Sequence, residues 1–148
     1  MKPLVVLISV FAIFYSVIYF VPLEADYKVA MRLGMSIMLL FTATGHFAFT
    51  KGMAMMLPRF VPAKNAVVYL TGLLEIVFAA GLVIADYAQE TGLALIIFFI
   101  LILPANLYAA YKQVDYQKGT HNGSGLTYLW FRVPLQLLFI MWVYISTQ

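Results

Sequence analysis

Five positions in this chain set polar chemistry inside apolar surroundings: His46, Glu75, Asn106, Arg132 and Gln136, with the hydroxyls of Tyr69, Thr71 and Tyr108 nearby in sequence. Glu75 closes the segment Tyr69-Leu-Thr-Gly-Leu-Leu-Glu75, at the middle of a long apolar run. A carboxylate at such a depth costs about 2.5–3.5 kcal/mol on membrane-insertion scales, so it calls for a partner, a cavity or a bound ligand. One chemistry for the set is an ion pair or proton-linked pair between Glu75 and Arg132, with His46 and Asn106 hydrogen-bonding a ligand headgroup. The other is a dry network in which the same groups tie four helices together, each contact contributing about 0.6 kcal/mol.

Pro104 and Pro134 fall in the same layer as Asn106 and Arg132. Each removes a helical N–H and frees the carbonyl four residues earlier, at Ile100 and Trp130. Inside a membrane such breaks are tolerated where side chains, water or a ligand satisfy the loose backbone, which predicts a hydrated pocket.

Other chemistries have no material to work with. Cysteine is absent, which removes disulfides, thiolate catalysis and Cys-held iron–sulfur or zinc sites. Bis-histidine haem ligation needs two imidazoles at depth, and the second histidine, His121, falls in a polar loop. Met53, Met55 and Met56 have no flanking Cys or His and read as lipid contacts rather than a metal site. The expected cofactor inventory is therefore none within the chain and no metal, with a bound quinone or lipid as the ligand.

The elements that must position these groups are membrane helices. Of 148 residues, 64% are hydrophobic and 10% charged, and mean hydropathy is +0.95, far from the balance of soluble domains. Uncharged runs predict five spans in one integral membrane domain covering 1–148, at about 3–23, 33–50, 65–85, 91–111 and 126–146. The first run is read as a retained helix, because Val21-Pro-Leu-Glu-Ala25 is a poor signal-peptidase site. Between spans two and three, Lys51 to Lys64 alternates basic residues with Met, Phe and the breakers Pro58 and Pro62, which reads as an interfacial linker with one amphipathic turn. Lys112 to Ser124 reads as a mobile polar loop.

Five alternating spans put seven basic residues (Lys2, Lys51, Arg59, Lys64, Lys112, Lys118, Arg132) on one side and only Lys28 and Arg32 on the other. By the positive-inside rule the N-terminus is cytoplasmic and the C-terminus exterior, in the cell (cytoplasmic) membrane. The basic residues sit at the ends of apolar runs rather than along a stripe, so nucleic acid is excluded as a partner. The same alternation gathers His46, Asn106, Arg132 and Gln136 at the basic side, with Glu75 roughly 15 Å along its helix. Small residues at spacings of three and four, Thr71-Gly72-Glu75-Ala79 and Thr42-Ala43-His46-Thr50, mark the inward faces.

Several stretches resemble the DoxX family of small bacterial membrane proteins, especially its short uncharacterised branch: Gly45-His-Phe47, Leu57-Pro-Arg-Phe-Val-Pro62, Val68-Tyr-Leu-Thr-Gly-Leu-Leu-Glu75, Leu103-Pro-Ala-Asn-Leu-Tyr108 and Trp130-Phe-Arg-Val-Pro-Leu-Gln136. The resemblance implies an all-α, DoxX-like four-helix transmembrane bundle, here with an additional N-terminal transmembrane helix. It also implies association with quinone-linked redox complexes in the membrane. The expected function is a non-catalytic subunit or scaffold that binds a lipid, quinone or similar amphipathic ligand. Its basic loops would dock a membrane or cytoplasmic redox partner. The alternative is a quinone-linked oxidoreductase subunit with a Glu75/His46 proton path. A small transporter is a third reading, against which stands the lack of an inverted repeat or a second deep carboxylate.

Overall fold

The structure, a computed structural model, describes residues 2–21 and 26–148. It is all-helical: α1 Lys2–Phe20, α2 Tyr27–Ala48, the short α3 Thr50–Ala54, α4 Lys64–Val83, α5 Ala88–Tyr111 and α6 Leu129–Thr147. Single 3-10 turns, Ala85–Tyr87 and Gly125–Tyr128, lead into α5 and α6.

Four helices among the described residues are long and apolar enough to cross a membrane: α1, α4, and α5 and α6 each with its leading turn. The expected five spans reduce to four by that measure, because α2 carries Lys28, Arg32, His46 and several hydroxyls along its 22 residues. The polarity of α2 has a packing reason. It contacts α1, α4 and α6 and buries eight residues, from Ala30 to Ala43. Its inward face can hold polar side chains against protein, while Ile37, Leu40, Phe41 and Phe47 make up an exposed apolar face.

α2 begins at Tyr27 rather than near residue 33, so Lys28 and Arg32 belong to its first turns instead of to a connecting loop. Long basic side chains reach the headgroup level from inside a helix, which makes charge a poor marker of its first residue. Pro22 and Leu23, expected to close the first span, and Glu24 and Ala25, expected to open a charged turn, lie outside the described residues. α5 continues as a helix through Pro104, and α6 through Pro134.

The apolar core lies toward the end of the bundle where α4 hands over to α5. Leu7, Met35, Met38, Leu39, Ala79, Leu82, Leu95, Phe98, Phe99, Leu135, Phe139 and Val143 form one cluster. Two hydrogen bonds tie the C-terminal end of α6 to its neighbours. Gln89 at the start of α5 donates to Gln148 after α6 at 3.3 Å, and Trp142 Nε1 donates to the Met31 carbonyl of α2 at 3.0 Å.

The segment expected to be a mobile loop is folded against α3. Asp115 and Thr120 pair across a tight turn, and Asp115 Oδ1 accepts the N–H groups of Gln117 and Lys118 at 3.1 and 3.2 Å. Gly52 makes the docking geometrically feasible, since a Cβ there would occupy the position of the Tyr116 carbonyl oxygen.

Candidate functional site

α2 ends and α4 begins at the same level, and their small residues let them approach closely. At Gly72 a Cβ would lie 2.7 Å from the Cβ of His46, so the imidazole passes directly over the glycine. The last turn of α2 is held by Thr50, whose hydroxyl lies 2.7 Å from the His46 carbonyl and 3.1 Å from that of Phe47. Carbonyls left open at a helix C-terminus are thereby given a donor.

Two side-chain contacts hold Glu75. Its Oε2 accepts from Thr42 Oγ1 at 2.9 Å, and its Oε1 lies 3.5 Å from His46 Nε2. The carboxylate is buried, with 7% of its side chain exposed against 18% for His46. The other imidazole nitrogen, Nδ1, lies 3.1 Å from the Val68 carbonyl and 3.0 Å from Thr71 Oγ1. A carbonyl can only accept, so the network assigns a proton to Nδ1. A proton held between Nε2 and the carboxyl group can sit on either side: imidazolium with carboxylate, or neutral imidazole with carboxylic acid. Both arrangements are neutral overall, which removes the charge cost identified for a lone Glu75 in lipid.

A second polar contact joins α5 and α6. Arg132 Nη2 donates to Asn106 Oδ1 at 3.5 Å, while Asn106 Nδ2 donates back to the Ile102 carbonyl at 3.2 Å. Gln136, buried, donates to the Phe99 carbonyl at 2.8 Å. The Phe99 carbonyl is one residue before that of Ile100, whose helical donor Pro104 removes, so the glutamine supplies an extra donor where the α5 hydrogen-bond ladder lacks one.

The residues singled out from sequence thus fall into two groups rather than one layer. His46, Thr71 and Glu75 meet between α2 and α4, whereas Asn106, Arg132 and Gln136 serve α5 and α6. Glu75 is paired with His46, and among the described residues no salt bridge joins it to Arg132. Tyr69 stacks on Phe47, ring centroids 5.9 Å apart, and Tyr108 faces a separate cavity at the end of α5. Thr42 was missed as a site residue although it shares a helical stripe with His46. The Val68 and Phe99 carbonyls left no sequence signal at all.

Two open cavities lie at the basic end, neither of them between Glu75 and Arg132. A groove of about 400 Å³ is walled by Phe47, Tyr69 and Tyr116 and edged by Thr50, Asn65, Lys51 and Lys118. A second, of about 330 Å³, lies between the α3–α4 linker and the end of α5.

No curated protein and no solved structure matches the chain. The resemblance to the DoxX family does not hold: the family model that matches is a different one, over residues 35–147. The motifs that suggested DoxX are short, and small residues beside polar ones recur at helix contacts in lipid generally. The match takes in both polar groups and leaves out α1 and the first turns of α2. This chain belongs to the family described as "Domain of unknown function (DUF8561)".

Proposed function

We propose that the chain is a non-catalytic subunit or scaffold of the cytoplasmic membrane that holds a lipid, quinone or similar amphipathic molecule in the groove beside His46. The observation that carries this reading is the groove's mixed lining: aromatic walls from Phe47, Tyr69 and Tyr116 suit a ring or acyl chain, while Asn65, Lys51 and Lys118 suit a polar head. In this reading the chain crosses the membrane five times. At 22 residues, α2 extends about 33 Å, enough to cover a hydrocarbon core of roughly 30 Å. The basic end faces the cytoplasm, where its loops dock a membrane or cytoplasmic partner.

Mass spectrometry on gently purified protein tests the proposal. A stoichiometric quinone or lipid is expected, lost on Tyr69→Ala without loss of thermal stability. Wild-type protein that carries no amphiphile beyond bulk lipid overturns it. A second reading, a quinone-linked oxidoreductase subunit with a Glu75/His46 proton path, is favoured by the 3.5 Å approach of His46 Nε2 to the buried Glu75 carboxyl group. Quinone reduction by the isolated protein would select that reading, and activity only with another protein present would select the scaffold.

A further inference from the structure

The second cavity has a chemistry unlike the first. Its wall carries four basic side chains, Arg59 from the α3–α4 linker, Lys64 from the start of α4, Lys112 from the end of α5 and His121 from the following loop, and no carboxylate. Asp115, the acidic residue of that loop, is engaged with the Gln117 and Lys118 amides. Lys64 Nζ spends one proton on the Leu57 carbonyl at 2.8 Å and keeps two. The Lys112 ammonium rests 5.1 Å from the centroid of the exposed Tyr111 ring, a weak hold. His121 Nδ1 lies 3.1 Å from the Lys112 carbonyl, which pins the loop over the cavity and leaves Nε2 free.

The three cations Arg59, Lys64 and Lys112 around one space repel one another unless an anion sits between them. The rest of the lining adds the Tyr108 ring and the apolar Met55 and Leu57, so the space is cationic at its rim and greasy at its side. Basic cavities of this kind at the cytoplasmic ends of membrane helices suit acidic headgroups. We propose that the cavity bounded by Arg59, Lys64, Lys112 and His121 binds a phosphate group, as carried by the headgroup of an anionic lipid. The site is separate from the groove beside His46 and stands whether or not that groove holds a ligand.

The test is native mass spectrometry of the full chain with phosphatidylglycerol, phosphatidylcholine or inorganic phosphate. Wild-type protein is expected to retain one phosphatidylglycerol in preference to phosphatidylcholine. The triple variant Arg59→Gln/Lys64→Gln/Lys112→Gln should reduce that retention by at least about tenfold. The exposed single variant Arg59→Gln, which threatens no packing, should reduce it in part, and Lys28→Gln/Arg32→Gln at the opposite end should leave it unchanged. Retention that survives millimolar phosphate identifies a lipid site. Binding of inorganic phosphate with no preference between the lipids, lost in the triple variant, identifies a free-phosphate site. Equal retention of both lipids without phosphate binding, or equal losses in the Lys28/Arg32 variant, overturns the proposal.

Discussion

Gly72 lies beneath His46 so closely that a methyl group on it would come 2.7 Å from the histidine Cβ. Gly72→Ala must therefore push α2 and α4 apart or turn the imidazole away from Glu75. The expected cost is about 1–3 kcal/mol, the usual range for overpacking, read as a lower midpoint in detergent unfolding. A midpoint equal to wild type would show that the two helices are not in contact at this level.

The pairing of Glu75 with His46 rather than Arg132 gives a double-mutant test. Glu75→Gln and His46→Gln should couple by about 0.6–1.7 kcal/mol, the range for interhelical hydrogen bonds in membrane bundles. Glu75→Gln and Arg132→Gln should be additive within about 0.5 kcal/mol. Strong coupling in the second cycle would contradict the geometry.

Gln136→Leu removes the donor to Phe99 beside the Pro104 break. A loss of about 1 kcal/mol is expected, and Pro104→Ala in the same chain should offset part of it by restoring the helical N–H. If Gln136→Leu stabilises the protein, the glutamine is not serving the α5 backbone.

Gly52→Ala collides with the Tyr116 carbonyl and should detach the segment after α5 from α3. Limited proteolysis would then cut between Lys112 and Ser124 faster in the variant than in wild type, at unchanged helix content by circular dichroism. Equal cutting rates would mean that the turn folds without α3.

A chain without cysteine is a clean background for mapping topology. Asp26→Cys and Phe60→Cys flank α2, and Phe60 is 85% exposed. Labelling with an impermeant maleimide should reach the two from opposite faces of the membrane, Phe60→Cys from the cytoplasm. Labelling of both from one face would mean that α2 does not cross.

The helices α1, α4, α5 and α6 were legible because each is apolar and long enough to cross a membrane, and continuous apolarity can be read residue by residue. α2 was harder to read. Packing of one face on α1, α4 and α6 relaxes the demand for apolarity there, and Lys28 and Arg32 look like loop residues while sitting on helix. In the site, the polar residues stood out by type, yet their pairings did not. Whether Glu75 meets His46 or Arg132 depends on how far α4 is rotated and which neighbour its glycine face admits, and Gly72 settles that in favour of α2. The role of Gln136 was hidden for a different reason: its partner is a backbone carbonyl, which every residue has.

The two tryptophans stand in opposite situations. Trp130 is 87% exposed on the outer surface of α6, whereas the Trp142 indole is tied to the α2 backbone and edge-on to Phe11 at 5.1 Å. The molecule thus contains its own pair of optical gauges. Brominated lipids should quench Trp130, while Trp142 should respond only when the contact among α1, α2 and α6 loosens, so surrounding bilayer and internal packing can be followed separately in one unlabelled protein.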